Sequence, residues 1–486
     1  MDKATSDKYQ PVIGLEVHAQ LLTNSKIYSA DPVAFGGEPN AQVGVVTLAH
    51  PGTLPKLNKR VVEQAIKMGL ACHSEISRHQ VFDRKNYFYP DLPKGYQLTQ
   101  DRTPICKGGH ITIRTKHIQD TDVPLNRIHI EEDAGKSIHL DGEEDTLIDL
   151  NRAGVPLIEI VTLPVIGSAA QAGAFYSEVR KLVRYLGICD GNMEEGSLRC
   201  DANISIKKKG DTVLGKKVEV KNMNSIRNLQ RAIEHEIERQ VSLLEEGGEV
   251  VSETRAFNVG PGTTSAMRTK EELNDYRYFP DPDLSPLHIS DEWISEIRKT
   301  MPALPEELYQ RFVRDFSLPQ YDALVLTESR EMAEYYLAAC RFSPHYKAVS
   351  NWVMGPVKSY LNDKGIDFVD FPVAPGKLSE LVGLVVEGKV GFANAAQKLL
   401  PALIKNSSES VLGLAARLHL VQDSDEGAIG KMVEEVLHDF PAKVMEYKKG
   451  KKGLISMFMG EIMKKSQGKA DPKMASSLLQ KKLSEI

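Results

Sequence analysis

The chain has 486 residues, 41% hydrophobic and 26% charged, which argues against a mainly disordered, collagen-like or coiled-coil protein. At roughly 150 residues per domain this length predicts about three domains. The formal charge of −5 carries no nucleic-acid footprint as a whole-chain value.

Residues 1–290 read as mixed strand and helix. The segment opens on MDKATSDKYQ, without the apolar run of a secretory signal. In Ile13–Leu21 the apolar residues Ile13, Leu15, Val17, Ala19 and Leu21 alternate with Glu16, His18 and Gln20, so the two sets face opposite sides of a strand. A carboxylate run, Glu131-Glu132-Asp133, stands before the turn at Gly135. Asp149 and Asn151 share a face of a strand predicted over Ile148–Asn151. A helix is expected from Ser168, with Gln171 completing a capping box, Phe175, Val179, Leu182, Val183 and Leu186 on one face, and Gly187 as the stop.

Leu198–Ser205 then alternates again, with Arg199, Asp201, Asn203 and Ser205 opposite Leu198, Cys200, Ala202 and Ile204. Glu219 and Lys221 share a face of Val218–Lys221. A second long helix follows Asn224 and ends at Gly247-Gly248. Strands and helices do not alternate regularly. The expected fold class is therefore α+β with a largely antiparallel sheet.

Residues 291–405 read as wholly helical, with candidates at Glu292–Thr300, Pro305–Asp315, Glu328–Ala339, Ser350–Asn362, Lys377–Glu387 and Asn394–Leu400. Residues 406–486 form a short helical tail. From Lys443 onward eleven lysines face four acids, a local charge of +7 that leaves −12 for the rest. A basic tail on an acidic body suggests a nucleic-acid partner. No stretch approaches the roughly 18 apolar residues of a membrane span. Five scattered cysteines contain no C-x-x-C pair, so a reduced, cytoplasmic protein is expected.

Alternation alone also describes a half-solvated antiparallel sheet with no function. The composition of the polar set points further. Carboxylates recur with a histidine, which suits a hard divalent cation such as Mg2+. Arginine and lysine nearby suit phosphate oxygens. Two Walker-like segments, Gly210–Lys216 and Gly383–Lys389, lack the hydroxyl residue that a phosphate loop needs and read as structural turns.

The segment Val12–Leu21 resembles the opening strand of the B subunit of the aspartyl/glutamyl-tRNA(Asn/Gln) amidotransferases, the GatB family. The likeness continues through Phe82–Asp91, Ile130–Ser137, Asp149–Val161, Met193–Ser205, Glu219–Asn222, Asp275–Asp281 and Ser350–Gly355, in order along essentially the whole chain. The resemblance implies a glutamine-synthetase-like catalytic cradle, a helical middle domain and a tRNA-binding tail. It implies ATP-dependent phosphorylation of the side-chain carboxylate of Glu-tRNA(Gln), Asp-tRNA(Asn) or both, followed by amidation with ammonia. The glutaminase A subunit would supply the ammonia, and the small C subunit would complete a heterotrimer.

By resemblance Glu16, His18 and Glu132 are the first metal ligands, with Asp201, Glu219 and Glu159 behind them. Arg152, Arg199 and Lys221 are expected on nucleotide or acyl-phosphate oxygens, Lys85 and Tyr87 at the ammonia arrival point, and Ser197 and Asn203 orienting substrate. Lys448, Lys449, Lys451, Lys452, Lys464, Lys465 and Lys469 are expected on tRNA. Many relatives carry a cysteine zinc knuckle, but Lys26–Pro55 has no cysteine. ATP and Mg2+ are expected and a structural zinc is not, with packing around Phe35 and Pro51-Gly52 holding that loop instead. The alternatives are a noncatalytic tRNA-binding scaffold and a stand-alone ligase acting on free glutamate.

Overall fold

A computed structural model describes residues 8–115, 118–140, 142, 144–269, 276–422, 426–466 and 470–485. The chain divides into two compact units, Met1–Pro305 and Glu306–Ile486. The first is built on a ten-stranded sheet. Its strands are β1 (Tyr9–Gln20), β2 (Glu75–Ile76), β3 (Cys106–Lys107), β4 (His110–Thr115), β5 (Ile118–Glu132), β6 (Pro156–Thr162), β7 (Leu198–Lys208), β8 (Val218–Lys221), β9 (Glu253–Asn258) and β10 (Thr263–Thr269). They lie in the order β10-β9-β8-β7-β1-β6-β5-β3-β2, and β4 pairs separately with β5.

Every pairing is antiparallel except β8 with β9. That parallel pair needs a crossover, and helix α3 (Ile226–Glu245) supplies it. Helix α2 (Ala169–Tyr185) likewise links β6 to β7, which flank β1 and are both antiparallel to it. Both helices start where the sequence predicts. Ser168 Oγ accepts from Gln171 N, and Ser225 Oγ accepts from Asn228 N.

One face of the sheet is apolar. Ile13, Leu15, Val17, Ala19, Ile128, Ile130, Ile158, Ile160, Ala202 and Ile204 are fully buried there. They share one core with Phe175 and Val179 of α2, Leu229 and Ile233 of α3, and Val62 and Ile66 of the helix α1 (Lys59–Ala71). Each of the Val, Leu, Ile and Phe side chains among them contributes about 1.5–3 kcal/mol through burial. A slip of one residue in β1 would drive Glu16 and His18 into this core, so the register is strongly specified. The helices cover that face and leave the polar face open.

A separate three-stranded sheet joins Asp83–Asn86 to Tyr96–Thr99 and Phe279–Pro280. Arg102 on buried Asp83, and Arg84 on buried Asp281, hold it.

The loop before α1 departs from expectation. Phe35 is 67% exposed, so packing around it does not hold the segment. Polar contacts do. Asp31 accepts from Ser29, Gly44 N and Thr47. Asn40 and Gln42 bond to Ile148, Asp149, Leu150 and Asn151. The strand at Thr146–Asp149 stops at Asp149, so Asp149 and Asn151 serve this loop rather than one strand face.

The second unit is helical. The single helix expected over Ser350–Asn362 is three consecutive pieces, with a π turn at Val353–Val357 between Tyr346–Trp352 and Lys358–Lys364. Pro356, which has no amide to donate, sits in that wide turn. Gln320–Leu326 is a helix beyond those expected. At the C-terminal end Glu426–Asp439, Pro441–Lys448, Leu454–Lys465 and Pro472–Glu485 surround a small core of Val433, Phe458, Ile462 and Leu479. Among the described residues no helix is long and apolar enough to cross a membrane.

Candidate functional site

The open face of the sheet and the three-stranded sheet enclose a cleft of about 860 Å³. The strand pleat decides what reaches it. Glu16 of β1 lies opposite Asp201 of β7, and His18 lies between Arg199 of β7 and Glu159 of β6. Glu159 in turn faces His129 of β5, and Asn203 of β7 faces Glu219 of β8. All of these side chains line the cleft. Lys85, Tyr87, Tyr276 and Tyr278 line it as well, with Lys85 Nζ 4.9 Å from the centre of the Tyr276 ring.

Two charge clusters share the floor. In the first, His18 Nε2 is 3.5 Å from both Glu131 Oε1 and Glu159 Oε2. His129 Nε2 is 3.2 Å from Glu159 Oε2 and 3.7 Å from Glu131 Oε2. Burial opposes charge on His18, but Glu159 and Glu131 outweigh it and raise its pKa. Burial also opposes charge on Glu159, and His129 and His18 overcome that to hold its carboxyl well below the usual range.

In the second cluster Lys221 Nζ is 2.5 Å from Asp201 Oδ2 and 3.0 Å from Glu219 Oε1. Asn203 Nδ2 donates to Glu16 Oε1 at 2.9 Å, and Thr254 Oγ1 donates to Glu219 at 2.8 Å. Burial, then repulsion from Glu159, Glu219 and Asp201, raises the Glu16 carboxyl. Asn222 follows Lys221 at φ +68°, a left-handed conformation that asparagine tolerates, and also lines the cleft.

Nine carboxylates line the cleft against five lysines and arginines, so its floor is set up to receive cations. His18, Glu131 and Glu159 offer three donor atoms that all lie within 4.8 Å of one another. Two carboxylates and an imidazole fit a hard divalent cation that keeps part of its water. The cations Arg127, Arg199, Lys217 and Lys221 suit an anionic ligand in the same space. Lys217 directly follows the Walker-like segment, which forms part of the link between β7 and β8 rather than a phosphate loop.

Glu16, His18, Glu159, Asp201 and Glu219 come together here, as do Lys85, Tyr87, Arg199, Asn203 and Lys221. Glu132, Arg152 and Ser197 do not. Glu132 alternates with Glu131 and turns to the other side of β5, where it accepts from Leu98 N at 2.9 Å and pairs with Lys94. Arg152 spends its guanidinium on the carbonyls of Ala134 and Gly135, at 2.9 and 2.6 Å, so it secures the turn after β5. Ser197 Oγ donates to Asp190 at 3.3 Å.

Sequence reasoning missed His129, Arg127, Asp101 and Lys217. It also favours Glu132 over Glu131 as a ligand. The alternation Arg127-Ile128-His129-Ile130-Glu131 carries the signal, but three consecutive carboxylates before a glycine read as a turn rather than as a strand. Asp133, from the same run, accepts from Gln20 at 2.7 Å and from Arg199 at 2.9 Å. Burial would raise its pKa, but Arg199 and Arg152 lower it.

The tail lysines are only partly available. The acidic helix Glu426–Asp439 pairs Glu435 and Asp439 with Lys465, and Glu434 with Lys482. Lys451 pairs with Glu446 at 3.1 Å, and Lys464 lies 3.9 Å from Glu461. Lys448, Lys449 and Lys452 are exposed, and among the described residues Lys449 and Lys452 have no acidic partner. Lys469 and Asp275 lie outside the described residues.

A family model for the GatB/GatE catalytic domain matches residues 11–295, and one for a GatB domain matches residues 334–483. The aspartyl/glutamyl-tRNA(Asn/Gln) amidotransferase B subunit of Nitrosococcus oceani is 47% identical over 478 residues, which cover 98% of this chain and all of the relative. That of Geobacter sp. strain M21 is 48% identical over 479 residues, covering 98% and 99%. That of Salinibacter ruber is 45% identical over 495 residues, covering 98% and 97%.

Proposed function

The chain belongs to the family of aspartyl/glutamyl-tRNA(Asn/Gln) amidotransferase B subunits, and from that membership we propose that its cleft activates the side-chain carboxylate of a tRNA-bound glutamate or aspartate with ATP and then amidates it. The observation that carries this reading is the meeting of His18, Glu131 and Glu159 with Lys221 and Arg199 on one open sheet face.

A carboxylate is a poor electrophile and its oxide a poor leaving group, so ammonia does not displace it directly. Transfer of the terminal phosphoryl group of ATP to a carboxylate oxygen gives an acyl phosphate and ADP. Ammonia then forms the C–N bond, the C–O bond to phosphate breaks with its electron pair leaving on phosphate, and the proton lost from nitrogen ends on the released phosphate. In this reading His18, Glu131 and Glu159 hold Mg2+, with Glu16, Asp201 and Glu219 close by. When bound, the cation neutralises charge on the phosphates. Lys221, Arg199 and Lys217 take phosphate oxygens. Asn203 fixes the Glu16 carboxylate, and Lys85 with Tyr87 and Tyr276 walls the opposite side. Arg152 and Ser197 shape the turns that border the cleft, and Glu132 pairs with Lys94 behind it.

Ammonia comes from the glutaminase A subunit, and the small C subunit makes the complex whole. The tail, residues 406–486, holds tRNA through phosphate contacts of Lys449 and Lys452. The test supplies the purified chain, with and without its partners, with both misacylated tRNAs, ATP, Mg2+ and ammonia. Amidated aminoacyl-tRNA is expected. Amidation of free glutamate without tRNA, or no tRNA-dependent product in the assembled complex, would overturn the reading.

A further inference from the structure

Glu131 and Glu159 stand between two histidines that are not equivalent. Both line the cleft, but the His18 side chain on β1 is 19% exposed whereas His129 on β5 is 3% exposed, with Glu159 on the strand between them. The Glu131 carboxylate is divided between them, with Oε1 3.5 Å from His18 Nε2 and Oε2 3.7 Å from His129 Nε2. Glu159 Oε2 is within 3.5 Å of His18 Nε2 and 3.2 Å of His129 Nε2. His129 does not share the compact donor group of His18, Glu131 and Glu159. Its other nitrogen, Nδ1, is buried and has no hydrogen-bond partner. All of the polar contact this ring makes therefore passes through Nε2 to two carboxylates. A buried imidazole with one unmatched nitrogen costs stability as a packing residue, and its placement needs another reason.

From this geometry we propose that His129 is a positioning residue, which through Nε2 fixes the rotamers of Glu131 and Glu159 so that their carboxylates converge with His18 on a divalent cation. Groups that orient metal ligands in this way typically set metal affinity by about 10- to 100-fold. The pleat explains how the chain delivers it. His129 and Glu131 are two residues apart on β5, and the β5–β6 register sets Glu159 directly opposite His129.

The inference rests on the metal-binding reading above, and its test separates the two. Binding of Mn2+ alone is measured by electron paramagnetic resonance in the full-length chain assembled with its partners, without tRNA or ATP. Glutamine places its amide nitrogen where Nε2 lies, whereas asparagine places it where Nδ1 lies. H129N should weaken Mn2+ binding by about 10- to 100-fold, and H129Q should keep most of it. A residue that merely fills polar space would give the two variants equal affinity. Wild-type affinity in both, or equal loss in both, would overturn the role of His129 provided E159Q abolishes binding. Undiminished binding in E159Q would overturn the metal-site reading itself. If H129N does not fold, as judged by thermal melting, H129L removes the donor without burying a new polar group and is read in its place.

Discussion

Lys221→Met removes a cation seated between Asp201 Oδ2 at 2.5 Å and Glu219 Oε1 at 3.0 Å. At an effective dielectric of about 20, each contact is worth roughly 6 kcal/mol in Coulomb terms, but desolvation of the partners cancels most of that. The Lys221 side chain is 32% exposed, which reduces the balance further. We expect K221M to cost about 2–3 kcal/mol near neutral pH in metal-free buffer. Burial opposes the Lys221 charge, but Asp201 and Glu219 overcome it and hold the pKa above 10.5. The stabilisation is therefore complete below that value and flat across the neutral range. In K221M the three carboxylates Glu16, Asp201 and Glu219 face one another without it. Glu16 is already raised above 4.5 in the wild type, so the variant's native state binds more protons than its unfolded state above that value. Its deficit should shrink as pH falls from about 7 to about 5. Urea denaturation across that range measures this directly, and adding D201N should restore part of the loss. A deficit under about 0.5 kcal/mol, or one that does not change with pH, would refute this electrostatic account.

Three further outcomes follow from the same geometry. Lys26 is 1% exposed, and burial pulls its pKa to about 8 against the attraction of Asp31, Asp149 and Glu132. Its unfolded form binds more protons between about 8 and 10.5, so wild-type stability should rise across that interval. K26M should therefore be the more stable protein at neutral pH in urea titrations, an advantage that fades as pH passes the folded value. E131Q should weaken Mn2+ binding, as measured by calorimetry, by at least about tenfold, whereas E132Q should leave it near wild type and lower the melting temperature through loss of the Lys94 pair. Neutralising Lys449 and Lys452 together should reduce the slope of log K against log salt for tRNA binding by about two, whereas K465Q should mainly loosen the tail bundle.

The parts of this molecule governed by local rules were legible in the sequence. Ser168 caps a helix because its hydroxyl has a nearby amide to satisfy, and Gly187 and Gly247 end helices at positive φ. The alternation of β1 and β7 puts Glu16, His18, Asp201 and Asn203 on one face. What the sequence hid depends on partners far along the chain. Glu159 meets His129 only through the β5–β6 register. Glu132 passes for the ligand in place of Glu131 unless the end of β5 is read as extended, which it is. The net charge of the tail overstates its unpaired cations for the same reason. The acids that neutralise Lys465 and Lys482 lie on the preceding helix, outside the basic stretch itself.

The central claim is that the cleft, and not a partner chain, carries the phosphoryl transfer. Its most direct test is tRNA-dependent phosphate release from ATP by the assembled complex carrying E159Q, compared with wild type, with binding of the misacylated tRNA measured alongside. Loss of phosphate release by at least about a hundredfold with tRNA affinity unchanged is expected. Release at the wild-type rate would contradict the account and make this chain a noncatalytic holder of tRNA.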